Sequence, residues 1–230
     1  MTMARFAMGL LAARTVLVVS AAIATSALSM SACTPLRVVT HTVSADEAQV
    51  PIGRYAMDAD HWSVTFDVEH LKYSRPVLRF DRAHATLDWN KGGLEASTVD
   101  VAIDAASVDT KVPLLDKMVK GPEMFDAATY PTIRFVGQRF VRTGPAHGTL
   151  EGELTIRGVT RPVTLDVTFN GYGRNPLTKA DTIGFSAHGA FSRAQFGLAT
   201  WYPAVGNDVQ VRIEAEFERP SAEGENVQDN

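Results

Sequence analysis

The stretch that decides the fold is Glu151 to Asn170, EGELTIRGVTRPVTLDVTFN. Leu150, Gly152, Leu154 and Ile156 alternate with Glu151, Glu153, Thr155 and Arg157. After a break, Val163, Leu165, Val167 and Phe169 alternate with Thr164, Asp166, Thr168 and Asn170. Period two on both sides of a break predicts a hairpin with one apolar face. The break holds Gly158, which tolerates positive φ, and Pro162, which lacks an N–H and suits the start of a strand. Such a hairpin must press its apolar face against other apolar surface, and the rest of the chain supplies it.

The same alternation recurs in both directions. Upstream, Trp62, Val64, Phe66, Val68 and His70 form one face, Ala83, Ala85, Leu87 and Trp89 a second, and Val99, Val101 and Ile103 a third. Leu78 and Phe80 fall on the opposite parity to the residues that follow them, which predicts a bulge or a strand covered on both faces. Ile133 and Phe135 begin the strand before the hairpin. Downstream, Ile183, Phe185, Ala187, Gly189 and Phe191 form another face, and Val209, Val211, Ile213, Ala215 and Phe217 the last. Between them runs a long loop with Phe196, Trp201, Tyr202 and Pro203. Helical spacing appears once, at Leu114, Leu115, Met118 and Val119, between Pro113 and Gly121-Pro122.

Eight amphipathic strands with no βαβ alternation predict an all-β fold: an eight-stranded antiparallel barrel with a short helix. Closure removes exposed edges; a two-sheet sandwich is the alternative. Barrels of this size are packed solid or hold one small ligand. The inward positions Ala85, Gly152, Ala187, Gly189 and Ala215 are small, which either leaves volume unfilled or relieves crowding at bends.

At 230 residues with 45% apolar side chains the chain builds a sizeable core, and a net charge of −4 without a basic block argues against nucleic acid as a partner. The domain reading is residues 53–219 for the barrel and 220–230 for a polar tail. In residues 1–32, Arg5 and Arg14 precede the apolar run Thr15 to Ala27, too short to span a membrane and of secretory-signal type. Met30-Ser31-Ala32-Cys33 then resembles the lipobox of bacterial lipoproteins, with Met30 where leucine is usual. The reading is a lipidated Cys33 followed by a tether over residues 33–52. The alternative is ordinary cleavage after Ala27 or Ala32. With one cysteine, no internal disulfide forms.

Five segments together resemble the YceI-like family: YAMDADHWSVTFDVEH (Tyr55 to His70), MFDAATYPTIRF (Met124 to Phe135), GELTIRGVTRPVTLDV (Gly152 to Val167), GFSAHGAFSRAQFGL (Gly184 to Leu198) and VGNDVQVRI (Val205 to Ile213). The resemblance implies a lipocalin-like periplasmic barrel holding a long isoprenoid or similar lipid. Leu71 to Leu78 is bulkier than the family's small-residue pattern there, which would reshape or narrow the opening.

The expected cavity wall is Phe66, Val68, His70, Phe135, Leu154, Ile156, Leu165, Val167, Phe169, Phe185, Phe191 and Phe217. Arg161 and Arg193 fall at strand ends or turns, where a guanidinium fork would grip a polar head group; the alternative is an ordinary loop arginine. The six histidines show no tight metal-ligand spacing, and no nucleophile–base motif stands out. The expectation is therefore a periplasmic lipid carrier rather than an enzyme, with no cofactor beyond bound lipid. Its partners are a long-chain lipid, the membrane through the N-terminal anchor, and a second copy in a homodimer. The rivals are a ligand-free, stress-related interaction module docking through the Trp201 loop, and a lipid-modifying enzyme.

Overall fold

The computed structural model describes residues 38–219. Cys33, the segment 1–32 and the tail 220–230 lie outside the described residues. From residue 53 to residue 219, ten strands and one α-helix follow in chain order, besides short 3-10 turns: β1 (Gly53–His70), β2 (Val77–Phe80), β3 (Ala83–Trp89), β4 (Thr98–Asp104), β5 (Val108–Asp109), α1 (Pro113–Lys120), β6 (Thr132–Gly144), β7 (His147–Ile156), β8 (Val159–Arg174), β9 (Asp181–Ser192) and β10 (Val205–Arg219).

Eight of these strands close a circuit. The order β1-β3-β4-β6-β7-β8-β9-β10 returns to β1, and every pairing is antiparallel. The short pair β2 and β5 hangs on the outer half of β1. The expected barrel is present, with every strand of the circuit supplied by residues 53–219, and the compact unit from Val43 onward holds the whole circuit and its core.

The defining hairpin is β7–β8. Its turn is tighter than the sequence suggests: only Arg157 and Gly158, both at positive φ, separate Ile156 from its partner Val159. Two positive φ values give the turn whose twist matches the flanking strands. Pro162 therefore lies inside β8, opposite Glu153. It is tolerated because β9 pairs with β8 only from Leu165 onward, so no neighbour on that side needs an N–H from Pro162.

Two irregularities set which residues face inward. In β1 the register with β10 jumps between Met57 and Trp62, so Asp58 to His61 loop out opposite Glu216 and both Met57 and Trp62 point into the barrel. Between β2 and β3 the chain breaks at Asp81-Arg82. This resets the parity, so Leu78 and Phe80 face inward along with Ala85 and Leu87.

Residues 43–52 also depart from the tether expected of them, because they belong to the barrel unit. Ser44 bridges Tyr172 through both backbone hydrogen bonds. Glu47 accepts from the Leu94 amide and pairs with Arg142. Only Val50 is buried there, so the docking is polar and left no hydrophobic period to read.

One end of the barrel is sealed. Trp89 stacks on Phe169 with ring centroids 6.0 Å apart, Phe169 meets Phe185 at 5.8 Å, and Phe185 meets Phe217 edge-on at 6.0 Å. Trp89, Phe169 and Phe217 are buried, and each such side chain contributes roughly 1.5–3 kcal/mol. A polar clasp lies over this plug, where β1, β9 and β10 meet. Arg219 donates to Ile52 O (2.8 Å) and to the Asp181 carboxylate (3.0 Å), and lies over the Tyr55 ring at 5.2 Å. Tyr172 donates to Asp181 at 2.9 Å and Tyr55 to Pro51 O at 2.7 Å.

Burial pushes both phenols up to about 12, and the bond to Asp181 adds to this for Tyr172. A phenol raised above its unfolded value of about 10 holds its proton more tightly in the folded state. Its contribution is complete below pH ~10 and is lost as pH rises toward ~12. Denaturant unfolding across that window is expected to show falling stability, and Tyr55→Phe with Tyr172→Phe is expected to flatten the fall.

Candidate functional site

The inward faces of the eight strands do not meet along the whole barrel. They enclose a hollow of about 560 Å³, within the roughly 300–1,000 Å³ span of small-ligand sites. Phe66, Val68, Phe135, Leu154 and Ile156 border it, as do Leu165, Val167, Phe185, Phe191 and Phe217. Phe169 does not; it is buried in the sealing stack below. Alternation alone put it on the right face, but depth along the barrel is invisible to a period-two pattern.

The small residues divide by role. Ala85 and Ala215 border the hollow. Gly152 and Gly189 do not leave space, because neighbours occupy it: a Cβ at Gly152 would lie 2.6 Å from the Phe135 ring and 2.5 Å from Val136 O, and one at Gly189 would lie 2.7 Å from Leu165. These glycines let larger side chains fold across them.

Several wall residues carried no strand signal. Met118, Val119, Met124 and Phe125 come from α1 and the segment after it, and Leu198, Trp201 and Ala204 from the loop between β9 and β10. They close over part of the end opposite the plug. Phe125 continues an aromatic row, 5.8 Å from Phe80, which stacks on Phe66 at 5.2 Å. The helical spacing of α1 and the aromatics of the long loop were the available signals.

Few polar groups touch the hollow, and most are already committed. Ser97 donates to Gly93 O at 2.7 Å and accepts from the Asn90 amide. The Glu214 carboxylate accepts from Ser186, on the alternate parity to the wall residues Ile213 and Ala215. His70 borders the hollow at its open end, where β1 turns out into solvent.

The two arginines expected at a head group are not brought together. Arg161 is exposed and donates to the neighbouring Thr160 O at 2.9 Å. Arg193 is 4% exposed and borders the hollow. Its Nε donates to Gly206 O at 2.7 Å, Nη2 to Val205 O at 2.8 Å, and Nη1 to Leu198 O. Burial pushes this guanidinium below its usual value, yet an arginine keeps its proton at physiological pH. No carboxylate among the described residues pairs with it, so its hydrogen bonds pin both ends of the 197–206 loop. Outside the barrel, at the β1 bulge, Asp58, His61 and Glu216 bring ligand-type atoms within 4.8 Å of one another, and Asp58 and His61 form an ion pair at 2.9 Å.

With this geometry in place, comparison with known proteins identifies the fold's relatives. Residues 55–217 match the model of the YceI-like domain. The chain belongs to the YceI-like family. A Pseudomonas putida relative, named UPF0312 protein, is 30% identical over 159 residues, which is 69% of this chain and 82% of the relative. The Campylobacter jejuni YceI crystal structure is similar at 26% identity and TM-score 0.60, covering 79% of this chain and all of that one. A domain from Saccharophagus degradans, described as a polyisoprenoid binding domain, shares the fold at 14% identity and TM-score 0.56, over 74% of this chain and all of its own.

Replacing Arg193 with leucine removes the donors that the Leu198, Val205 and Gly206 carbonyls accept from. Each unsatisfied buried group costs about 1–3 kcal/mol. Arg193→Leu is therefore expected to lower unfolding free energy by about 3 kcal/mol or more and to expose Trp201 to a collisional quencher.

Proposed function

We propose that this YceI-like protein is a periplasmic carrier that holds one long apolar chain, an isoprenoid or similar lipid, inside the barrel. The observation that carries this reading is the hollow: about 560 Å³ of apolar space sealed at one end and opening at the other. An apolar void weakens a fold unless something occupies it. An alkyl or prenyl chain gains roughly 0.8 kcal/mol for each methylene it buries, less the cost of ordering that chain. The polyisoprenoid-binding description of the Saccharophagus degradans relative supports the ligand class by analogy of fold.

Binding rather than catalysis is supported by the chemistry of the wall. Ser97 and three of the five N–H groups of Arg193 are hydrogen-bonded to backbone carbonyls, and a reaction would need a convergent polar cluster at the hollow. Export to the periplasm and attachment through lipidated Cys33 are supported by Arg5, Arg14, the apolar run from Thr15 to Ala27 and the Met30-Ser31-Ala32-Cys33 motif.

Organic extraction of protein purified without detergent, followed by mass spectrometry, is expected to yield a stoichiometric long-chain lipid; repeated recovery of an unliganded barrel defeats the carrier reading. Ala85→Phe together with Ala215→Phe fills part of the hollow and excludes about three methylenes, so affinity for a fluorescent long-chain probe is expected to fall on the order of fiftyfold. Metabolic labelling with radioactive palmitate is expected to mark the parent protein and not Cys33→Ser.

A further inference from the structure

The open end of the barrel carries a surface that the carrier reading does not use. Three segments make it: the β1–β2 turn (residues 71–76), α1 with its flanks, and the 197–206 loop. They are tied together. The Leu71 amide donates to Ala204 O at 2.7 Å, and the Thr200 hydroxyl donates to Glu123 O at 2.7 Å.

This rim is apolar where it faces water. Tyr73 is 88% exposed, Leu114 70% and Tyr202 60%, and Leu71, Val112 and Met118 are exposed beside them. The helix explains part of it. Its apolar stripe is wider than the contact it makes, so Val119 is buried while Leu114 and Met118 remain outside. Single exposed apolar residues need no explanation, but several on linked segments around one opening mark an interaction site.

The charge of the rim differs from that of the chain. Residues 71–77, 110–125 and 197–206 contain Lys72, Arg75, Lys111, Lys117 and Lys120 against Asp116 and Glu123, while the whole chain carries −4. Arg75 and Lys111 pair with Asp67 and Asp109. Lys72 and Lys117 are exposed and form no ion pair among the described residues.

The rim is also continuous with the hollow. Pro76, Met118, Trp201 and Ala204 border the cavity from segments that form the rim. Whatever covers this face therefore also covers the opening. Tyrosine and tryptophan, apolar in body and polar at the tip, suit the boundary between headgroups and hydrocarbon, and free lysines suit anionic headgroups.

We propose that the open-end rim is a docking face for an anionic lipid bilayer, on which the barrel sits mouth-down so that an apolar chain passes between bilayer and cavity without crossing water. The route for the chain rests on the carrier reading; the docking itself does not.

The test uses the unit from Val43 onward, so that no upstream segment contributes, mixed with vesicles of phosphatidylcholine alone or with added phosphatidylglycerol. Cosedimentation with the anionic vesicles is expected, with a blue shift of tryptophan emission. Lys72→Glu with Lys117→Glu is expected to weaken the association about tenfold or more. Tyr73→Ser, Leu114→Ser and Tyr202→Ser together are expected to weaken it by a similar factor of about ten. These side chains are exposed, so the variants keep the parent's circular dichroism. Leu177→Ser, an exposed apolar change near the sealed end, is expected to have no effect.

Equal association with neutral and anionic vesicles overturns the proposal, as does indifference to both rim variants. So does self-association in vesicle-free solution that the triple variant abolishes, because a second copy would then be the occupant. A barrel that takes up a chain probe yet ignores anionic vesicles defeats the docking alone. Vesicle binding through the rim by a barrel that takes up no chain upholds the docking and defeats the carrier reading.

Discussion

Everything in this molecule depends on β1 finding partners along both edges. One edge pairs with β10 over most of its length. The other is shared, with β3 taking the first residues and β2 the later ones. Without the β1–β10 seam the sheet would end in two long unpaired edges, which is both a stability cost and an aggregation hazard. The Arg219–Asp181–Tyr172 clasp sits at the sealed end of that seam, so the polar network reinforces the closure there.

Closure also explains how an interior can be apolar and still unfilled. In a sandwich two faces approach until their side chains interdigitate, but a closed circuit fixes its own diameter through strand number and stagger. Side chains then either span the lumen or leave it. At one end the Trp89–Phe169–Phe185–Phe217 stack spans it. Further along, Ala85 and Ala215 stand among larger neighbours and the lumen stays hollow.

The period-two pattern made the circuit legible, because an inward face in water-free surroundings and an outward face in water impose alternation residue by residue. It also sorted nearly all of the wall, from Phe66 to Phe217, onto the correct side. It failed where geometry rather than polarity decides. The looped-out Asp58 to His61 hides Met57 from a strand read from Trp62 onward. The depth of Phe169 depends on the barrel axis. The docking of residues 43–52 rests on Ser44 and Glu47, whose partners Tyr172 and Arg142 lie far away in sequence. Arg193 was marked by its position at a strand end, and three carbonyls of the loop that follows it accept from its guanidinium. The long-range pairing of Ser44 and Glu47 leaves no local trace.

The Ser44–Tyr172 bridge has a directional consequence. It fixes Ser44 beside the sealed end, while the 71–76 turn and α1 surround the other pole. The unit from Val43 onward thus has a built-in polarity, with a polar lock at the base of the cup and the opening at its brim.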